Sequence, residues 1–398
     1  MQKEKLVPEI RFKGFEEKWE TSLLEEFGKC VSGYGFPISE QGNKEGIPFY
    51  KVSDMNLNEN YLIMNKANNY VSKNIALNKN WKIINMLPAI IFAKVGAAVL
   101  LNRKRIANSP FLIDNNMMAY LSKKTVDASY LYYIFYKINL TDLIQCSALP
   151  SINAYDILNF QAQVTKNINE QQKIGQFFSN LDSLIRSQEL KLKKLNEVKQ
   201  SFLSKMFASK NQKFPQIRFK GFEDEWNLDK VCNLFKITRG EVLSQNQISE
   251  FQNEIYTYPV YSSQTLRNGL MGYYKEYLFE NCITWTTDGA NAGTVKFRNE
   301  KFYCTNVCGV LEQGILKPNS CVAELLNIVA PNYVTRAGNP KLMNSTMGEI
   351  MINYPNSTIE SSKISTLFMS IDSLISSQEL KLEKLNNIKQ ALLEKMFC

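Results

Sequence analysis

Histidine is absent from the 398 residues, which removes His-dependent nucleophile triads, HExxH zinc sites and imidazole acid-base catalysis. The chain also has no GxxxxGK[ST] or GxGxxG phosphate loop, and GYG at 33–35 lacks a third glycine. Neither the [DNS]PP[YFW] signature of adenine methylases nor a nuclease arrangement of PD followed by (D/E)xK is discernible, since EVK at 197–199 lies on a helical pattern. No apolar run reaches the roughly 18 residues that span a bilayer. The longest candidate, MLPAIIFAKVGAAVLL, is broken by Pro88 and Lys94 and reads as buried strands and a turn. The start, MQKEKLVPEI, lacks a basic region followed by an apolar run, so a cytoplasmic protein is expected. None of the eight cysteines forms a CxxC pair, and the nearest two are Cys304 and Cys308, so buried thiols are expected rather than a metal site.

What is present is a length that allows two or more domains, and an excess of 47 basic over 38 acidic residues. A formal charge of +9 favours a polyanionic partner without naming it. Self-comparison is more informative. PEIRFKGFEEKW at 8–19 recurs as PQIRFKGFEDEW at 215–226, and DSLIRSQELKLKKLNEVKQSFLSKMF at 182–207 recurs as DSLISSQELKLEKLNNIKQALLEKMF at 372–397, with 19 of 26 positions identical. The offsets are 207 and 190, so the segments between the matches differ in length, and they share no comparable identity. A frame of opening motif and long helix is repeated around unlike contents.

In the first long segment Ile174, Phe178, Leu181, Ile185, Leu192, Leu195, Phe202 and Met206 recur at alternating steps of three and four, a heptad seam. The second gives Ile364, Phe368, Ile371, Ile375, Leu382, Leu385, Leu392 and Met396 in the same register. Gln188 and Lys199 interrupt one seam, Gln378 and Lys389 the other. A single apolar stripe needs a partner. Parallel pairing would oppose Lys199 and Lys389, whereas antiparallel pairing about Gln188 sets each lysine near Phe368 or Phe178. An internal antiparallel pair is therefore expected, with a dimerisation coiled coil as the alternative. It would carry the two variable regions at opposite ends of a rod.

Those regions read as α+β domains with mixed, predominantly antiparallel sheets: IPFYKV, AIIFAKV and a helical SYLYYIFYKI in the first, TYPVYSS, NGLMGYY, CITWTT and GTVKF in the second. The expected organisation is residues 1–168 as opening motif plus first domain, 169–209 as the central helix, 210–358 as the repeated motif plus second domain, and 359–398 as the final helix. Candidate contacts to nucleic acid are Ser53, Asp54, Asn56, Lys94 and LNRKR at 101–105, with Arg103, Lys104 and Arg105, in the first region. In the second they are Tyr273, Tyr274, Trp285, Thr286, Thr287, Asp288, Asn291, Arg336, Asn339 and Lys341. Arginine, lysine and asparagine can pair with base edges, while basic groups and hydroxyls hold phosphates.

The doubled P-x-IRF-x-GF-x-x-x-W motif, and NEQQKIGQFFSNLDSLI running into QELKLKKLNEVKQSFLSKMF, resemble the specificity subunit of a type I restriction-modification enzyme over essentially the whole chain. IPFYKVSDMN, LPAIIFAKVGAA, NGLMGYY and ITWTTDGANAGTV add to the likeness. One departure is that the second helix begins IESSKISTLF, which blurs the EQ-x-KI pattern of the first. The resemblance implies two target recognition domains reading the halves of a split, asymmetric site in double-stranded DNA, with the helices as spacer. It implies no catalytic residue and no cofactor or metal on this chain. Two modification subunits using S-adenosylmethionine and two motor-nuclease restriction subunits using ATP and Mg would dock on it, away from any membrane. The alternative is a coiled-coil scaffold that does not bind DNA.

Overall fold

The structure, a computed structural model, describes residues 6–145, 149–209, 212–263 and 266–398. The first half contains β1 (Glu20–Leu23), β2 (Gly28–Ser32), β3 (Ile47–Tyr50), β4 (Tyr70–Val71), α1 (Lys73–Asn78), β5 (Ala89–Ala93), β6 (Lys104–Ala107), β7 (Leu112–Ile113) and β8 (Met117–Ser122). It continues through α2 (Ala128–Lys137), α3 (Ala154–Leu158), β9 (Gln161–Val164) and the long helix α4 (Ile168–Met206). The second half contains β10 (Asn227–Lys230), α5 (Val231–Leu234), β11 (Phe235–Arg239), β12 (Tyr258–Tyr261), β13 (Leu270–Tyr274), β14 (Phe279–Thr286), β15 (Val295–Cys304) and β16 (Cys308–Gln313). It closes with α6 (Ser320–Val329), α7 (Asn344–Gly348), β17 (Met351–Tyr354) and α8 (Thr358–Met396).

Two compact units divide the chain at points inside both long helices: residues up to Ser187 with Leu382–Cys398, and Gln188–Lys381. Each unit thus holds one variable region, the start of one long helix and the end of the other. The first unit has a four-stranded antiparallel sheet in the order β2-β8-β5-β6 and a three-stranded sheet β4-β3-β7, in which β3 and β7 are parallel. The second has one six-stranded sheet, β11-β16-β14-β15-β12-β13, antiparallel except between β12 and β15. The α+β class is as read from the strand-like runs, which fall on β3, β5, β12, β13, β14 and β15, with SYLYYIFYKI on α2.

The frame repeats in atomic detail. In each unit the strand that follows the opening motif pairs antiparallel with the strand that precedes the long helix, β1 with β9 and β10 with β17, so both ends of a variable region are tied together at a helix start. Asn167 caps α4 by accepting from the amides of Asn169 and Glu170, and Ser357 caps α8 by accepting from that of Glu360. The carboxylates of Glu170 and Glu360, both fully buried, are gripped bidentately by Arg11 (2.6 and 2.9 Å) and Arg218 (2.6 and 2.8 Å) of the two opening motifs. The amide of the residue before each arginine bonds to the end of the other helix, Ile10 to the Lys395 carbonyl and Ile217 to that of Lys205, both at 2.9 Å. Trp19 stands edge-on to Phe397, as Trp226 does to Phe207. The motif is therefore a clasp joining the start of one long helix to the end of the other.

The blurred pattern at the start of α8 has a local explanation. Gln171 of α4 reaches the loop before α2, accepting from the Asp127 amide at 2.8 Å and donating to the Thr165 carbonyl. The corresponding Ser361 is too short for that reach. Asn319, the cap of α6, comes to it instead and donates to its hydroxyl at 2.9 Å.

Both long helices have 39 residues, roughly 58 Å at ~1.5 Å per residue. Within each unit their segments run antiparallel: Asp182 meets Lys389 at 2.6 Å and Phe178 meets Phe397 in the first, while Lys199 meets Asp372 at 2.7 Å and Phe368 meets Phe207 in the second. This corrects the register expected from the seam. Opposite each lysine stands an aspartate rather than a phenylalanine, a displacement of four residues, about one helical turn. The reason is charge: an ammonium withdrawn from water gains far more from a carboxylate than from a phenyl ring. Lys389 also lies over the Tyr136 ring, and Lys199 is shared with Glu324 of α6 at 2.7 Å. Burial lowers the Lys199 pKa, and the two carboxylates outweigh that and leave it raised.

Among the seam residues Ile174, Phe178, Ile185, Gln188, Ile364, Phe368, Ile371 and Ile375 are buried, whereas Leu181, Leu192, Leu195, Gln378, Leu382 and Leu385 are half-buried. Of the cysteines, Cys282, Cys304, Cys308 and Cys321 are buried, but Cys232 is exposed, so the expectation of buried thiols holds only in part; Cys146 lies outside the described residues. Burial pushes the thiols of Cys282 and Cys308 up to about 11.

Candidate nucleic-acid interface

In the first unit the segment after β3 makes a 3-10 turn over Val52–Asn56. Asp54 within it is fully buried and accepts from the Lys51 amide (2.8 Å), the Asn68 amide (3.1 Å) and the Asn68 side chain (2.6 Å), so its carboxylate holds the turn together. Ser53 and Asn56 remain exposed. LNRKR is not a uniform basic loop. Asn102 takes the left-handed conformation that ends a 3-10 turn, and β6 begins at Lys104. Strand alternation then sends successive side chains to opposite faces.

Arg103 donates to the Asn56 side chain, and Arg105 donates to the Asn60 carbonyl at 2.6 Å, so the two arginines pin the 52–60 segment to β6. Lys104 points into the protein, where its ammonium donates to the Ile138 carbonyl at 2.6 Å and to Asn102 at 2.7 Å, and burial lowers its pKa to about 8. A cavity of about 370 Å³ opens between Tyr61, Arg103, Arg105, Tyr136 and Lys389. Lys94, half-buried, donates to Ser32 at 3.0 Å.

In the second unit the candidates fall into two groups. Thr286, Thr287, Asp288 and Asn291 follow from the end of β14, and the strand-like contact of Asp288 with Lys341 brings the exposed loop bearing Arg336, Asn339 and Lys341 beside them. The Gly289 amide donates to the Pro340 carbonyl, the Leu342 amide to the Thr287 carbonyl, and the Lys341 ammonium lies 3.5 Å from Asp288. The hydroxyl of buried Thr287 has two acceptors within hydrogen-bond distance, the Asp288 carboxylate at 2.8 Å and the Val307 carbonyl at 3.0 Å. Trp285 belongs to the core, its indole donating to the Leu342 carbonyl at 3.0 Å. Tyr273 and Tyr274 lie apart on β13, the edge strand, both half-buried.

Sequence reading passed over Lys296 and Arg298. The signal was available: in VKFR the apolar Val295 and Phe297 alternate with the two cations, just as Ile283 and Trp285 alternate with Thr284 and Thr286 on β14. The apolar set packs into the core with α6, and the polar set lines a cavity of about 160 Å³ on the opposite face together with Asn291.

Two unlike sheet domains, each clasped to the start of one long helix and the end of another by the same motif, define a duplicated scaffold with unlike contents. The sequence profile described as the type I restriction modification DNA specificity domain matches residues 16–200 and again 223–389. The chain belongs to this type I restriction-modification specificity family and is a DNA-specificity subunit carrying its domain twice. A Mycoplasma pneumoniae protein named as the N-terminus of a type I specificity subunit is 39% identical over 142 residues, 35% of this chain and 73% of that protein. The specificity subunit of the MpnII type I restriction enzyme from the same organism is 35% identical over 144 residues, 35% of this chain and 42% of its own length. The crystal structure of a type I restriction-modification S subunit from M. genitalium shares the fold at a TM-score of 0.74 and 14% identity, covering 98% of this chain and 99% of that one. No helix among the described residues is long and apolar enough to cross a membrane.

Proposed function

We propose that this chain reads a bipartite, asymmetric site in double-stranded DNA for a type I restriction-modification complex, one half-site with each variable domain. It carries no catalytic group of its own. It positions two modification subunits, which bring S-adenosylmethionine, and two restriction subunits, which bring ATP and Mg, in the cytoplasm. The DNA contacts are drawn from Ser53, Asn56, Lys94, Arg103 and Arg105 in the first domain, and from Tyr273, Tyr274, Thr286, Asn291, Arg336, Asn339 and Lys341 in the second. Asp54, Lys104 and Thr287 act from behind, holding the loops that carry them. The domains follow the boundaries 1–168 and 210–358, and the helical stretches 169–209 and 359–398 form the shared scaffold.

The observation that carries this reading is the repeated frame around unlike contents. A clasp conserved between the two halves to the level of single hydrogen bonds, with loops that differ entirely, fits a reader of two different half-sites. A mobility shift with the modification subunit present tests it. Sequence-selective binding that weakens steeply with salt is the expected result. Absence of binding would leave the scaffold alternative, and binding without selectivity would refute the reading of a specific site.

A further inference from the structure

We propose that the cavity beside Lys296 and Arg298 in the second domain receives a phosphate group of the DNA backbone; this rests on the function proposed above and adds a contact to it. Lys296 and Arg298 project from β15 on the same face as Thr284 and Thr286 of β14, because side chains two apart on a strand share a face and Thr284 pairs with Lys296 across the ladder. The cavity is about 160 Å³ in volume. No aspartate or glutamate is among the described residues that line it. Two cations therefore face a concave space whose other polar walls are hydroxyls and the side-chain amides of Asn268 and Asn291.

The guanidinium of Arg298 is held by neutral partners. Its ring-side contact is the face of Tyr261, 3.5 Å from the centroid. Nε donates to Thr284 at 3.3 Å and one terminal nitrogen to the Asn268 carbonyl at 2.8 Å. The nearby carboxylate, Glu300, accepts from the Tyr261 hydroxyl at 2.6 Å, and among the described residues no carboxylate lies within ion-pair distance of Arg298 or Lys296. Burial lowers the arginine's pKa. Glu300 favours the charged guanidinium only from a distance, so this desolvated cation has no direct anionic partner among the described residues, and an oxyanion in the cavity would supply one.

The fold does not require this polarity. In the first unit β5 and β6 occupy the same place as β14 and β15, each pair joined antiparallel and flanked by a further antiparallel strand, β8 or β16. There the corresponding face carries Ala89, Ile91 and Ala107, roofed by Tyr50, Met64 and Phe111, and its one cation, Arg105 opposite Ile91, is turned onto the Asn60 carbonyl rather than into an open space. An apolar roof is thus available to this architecture, and the second domain leaves a cationic cavity in its stead.

The test uses the full chain in complex with its modification subunit, and Lys296→Gln as the variant, since the Lys296 side chain makes no ion pair among the described residues. One phosphate contact accounts for about 0.9 in the slope of log K against log salt. Lys296→Gln should therefore bind cognate and unrelated duplexes more weakly in equal proportion, with the slope shallower by about 0.9. Its deficit should shrink about 3.5-fold between 50 and 200 mM salt. Lys296→Arg should retain the wild-type slope, which separates loss of charge from loss of fold.

An unchanged slope in Lys296→Gln would overturn the assignment while leaving DNA reading intact. A loss confined to one base pair would also overturn it, by showing a base-edge contact. Inorganic phosphate that raises the wild-type melting temperature but not that of Lys296→Gln, with the DNA slope unaltered, would mark a free-anion site and overturn the DNA source. If the wild-type complex binds no DNA, the functional reading and the assignment fall together.

Discussion

Replacing Arg11 with methionine tests the clasp. Its partner Glu170 is fully buried and the Arg11 side chain is only 11% exposed, so solvent screens the pair little. The bidentate bond raises the Arg11 pKa, because it favours the charged guanidinium. Removing the arginine leaves an uncompensated carboxylate at the start of α4, a change that costs about 3–5 kcal/mol. For a unit of this size each kcal/mol moves the melting temperature by roughly 2–4 °C, so a fall of about 6–20 °C is expected. Replacing both partners, Arg11→Met with Glu170→Met, should recover most of the loss, since a buried pair exchanged for apolar side chains is close to neutral. Chemical denaturation of the two single variants and the double gives the coupling, expected at about 2 kcal/mol or more. Hydrogen exchange at the Ile10 amide, which bonds to the Lys395 carbonyl, should accelerate in Arg11→Met. A single-variant loss below about 1 kcal/mol, with Ile10 still protected, would refute the idea that this ion pair fastens the motif.

Lys389→Met strands Asp182, 3% exposed and left, among the described residues, with only the Tyr133 hydroxyl at 2.7 Å; a loss of about 3–5 kcal/mol in urea unfolding is expected, and a loss under about 1 kcal/mol would make the pair a passive contact. Lys104 has a pKa of about 8 in the fold against 10.5 for the free side chain, so the folded state sheds its proton first. Stability should rise with pH between those two values, by about 2 kcal/mol from pH 7.5 to 9.5 relative to Lys104→Met. Parallel pH profiles for the two proteins would show instead that Lys104 stays charged on its two acceptors.

The parts of the fold that were legible in the sequence are those set by local pattern. A strict three-four spacing gave two long helices, and AIIFAKV and CITWTT gave the central strands because β-branched and aromatic residues suit a pleated, half-buried surface. The helix register was not legible, because the residues that settle it lie off the seam. Asp182 and Asp372 sit beside it, and Glu324 comes from α6, so only the folded chain brings them to Lys389 and Lys199.

The same holds for LNRKR. Its composition suggested a phosphate-binding loop, but the strand beginning at Lys104 divides the run between two faces and turns the middle cation inward. Lys296 and Arg298 escaped notice for the converse reason. Two cations spaced in a strand look like solvated surface until the sheet shows that their face encloses a cavity.

Mapping methylated adenines in the DNA of cells that carry this chain with its modification subunit tests the central claim most directly. The proposed function predicts one bipartite motif with unlike halves, separated by an unread spacer of fixed length, which disappears when this chain is removed. A continuous or palindromic motif, or a pattern unchanged by its removal, would contradict it.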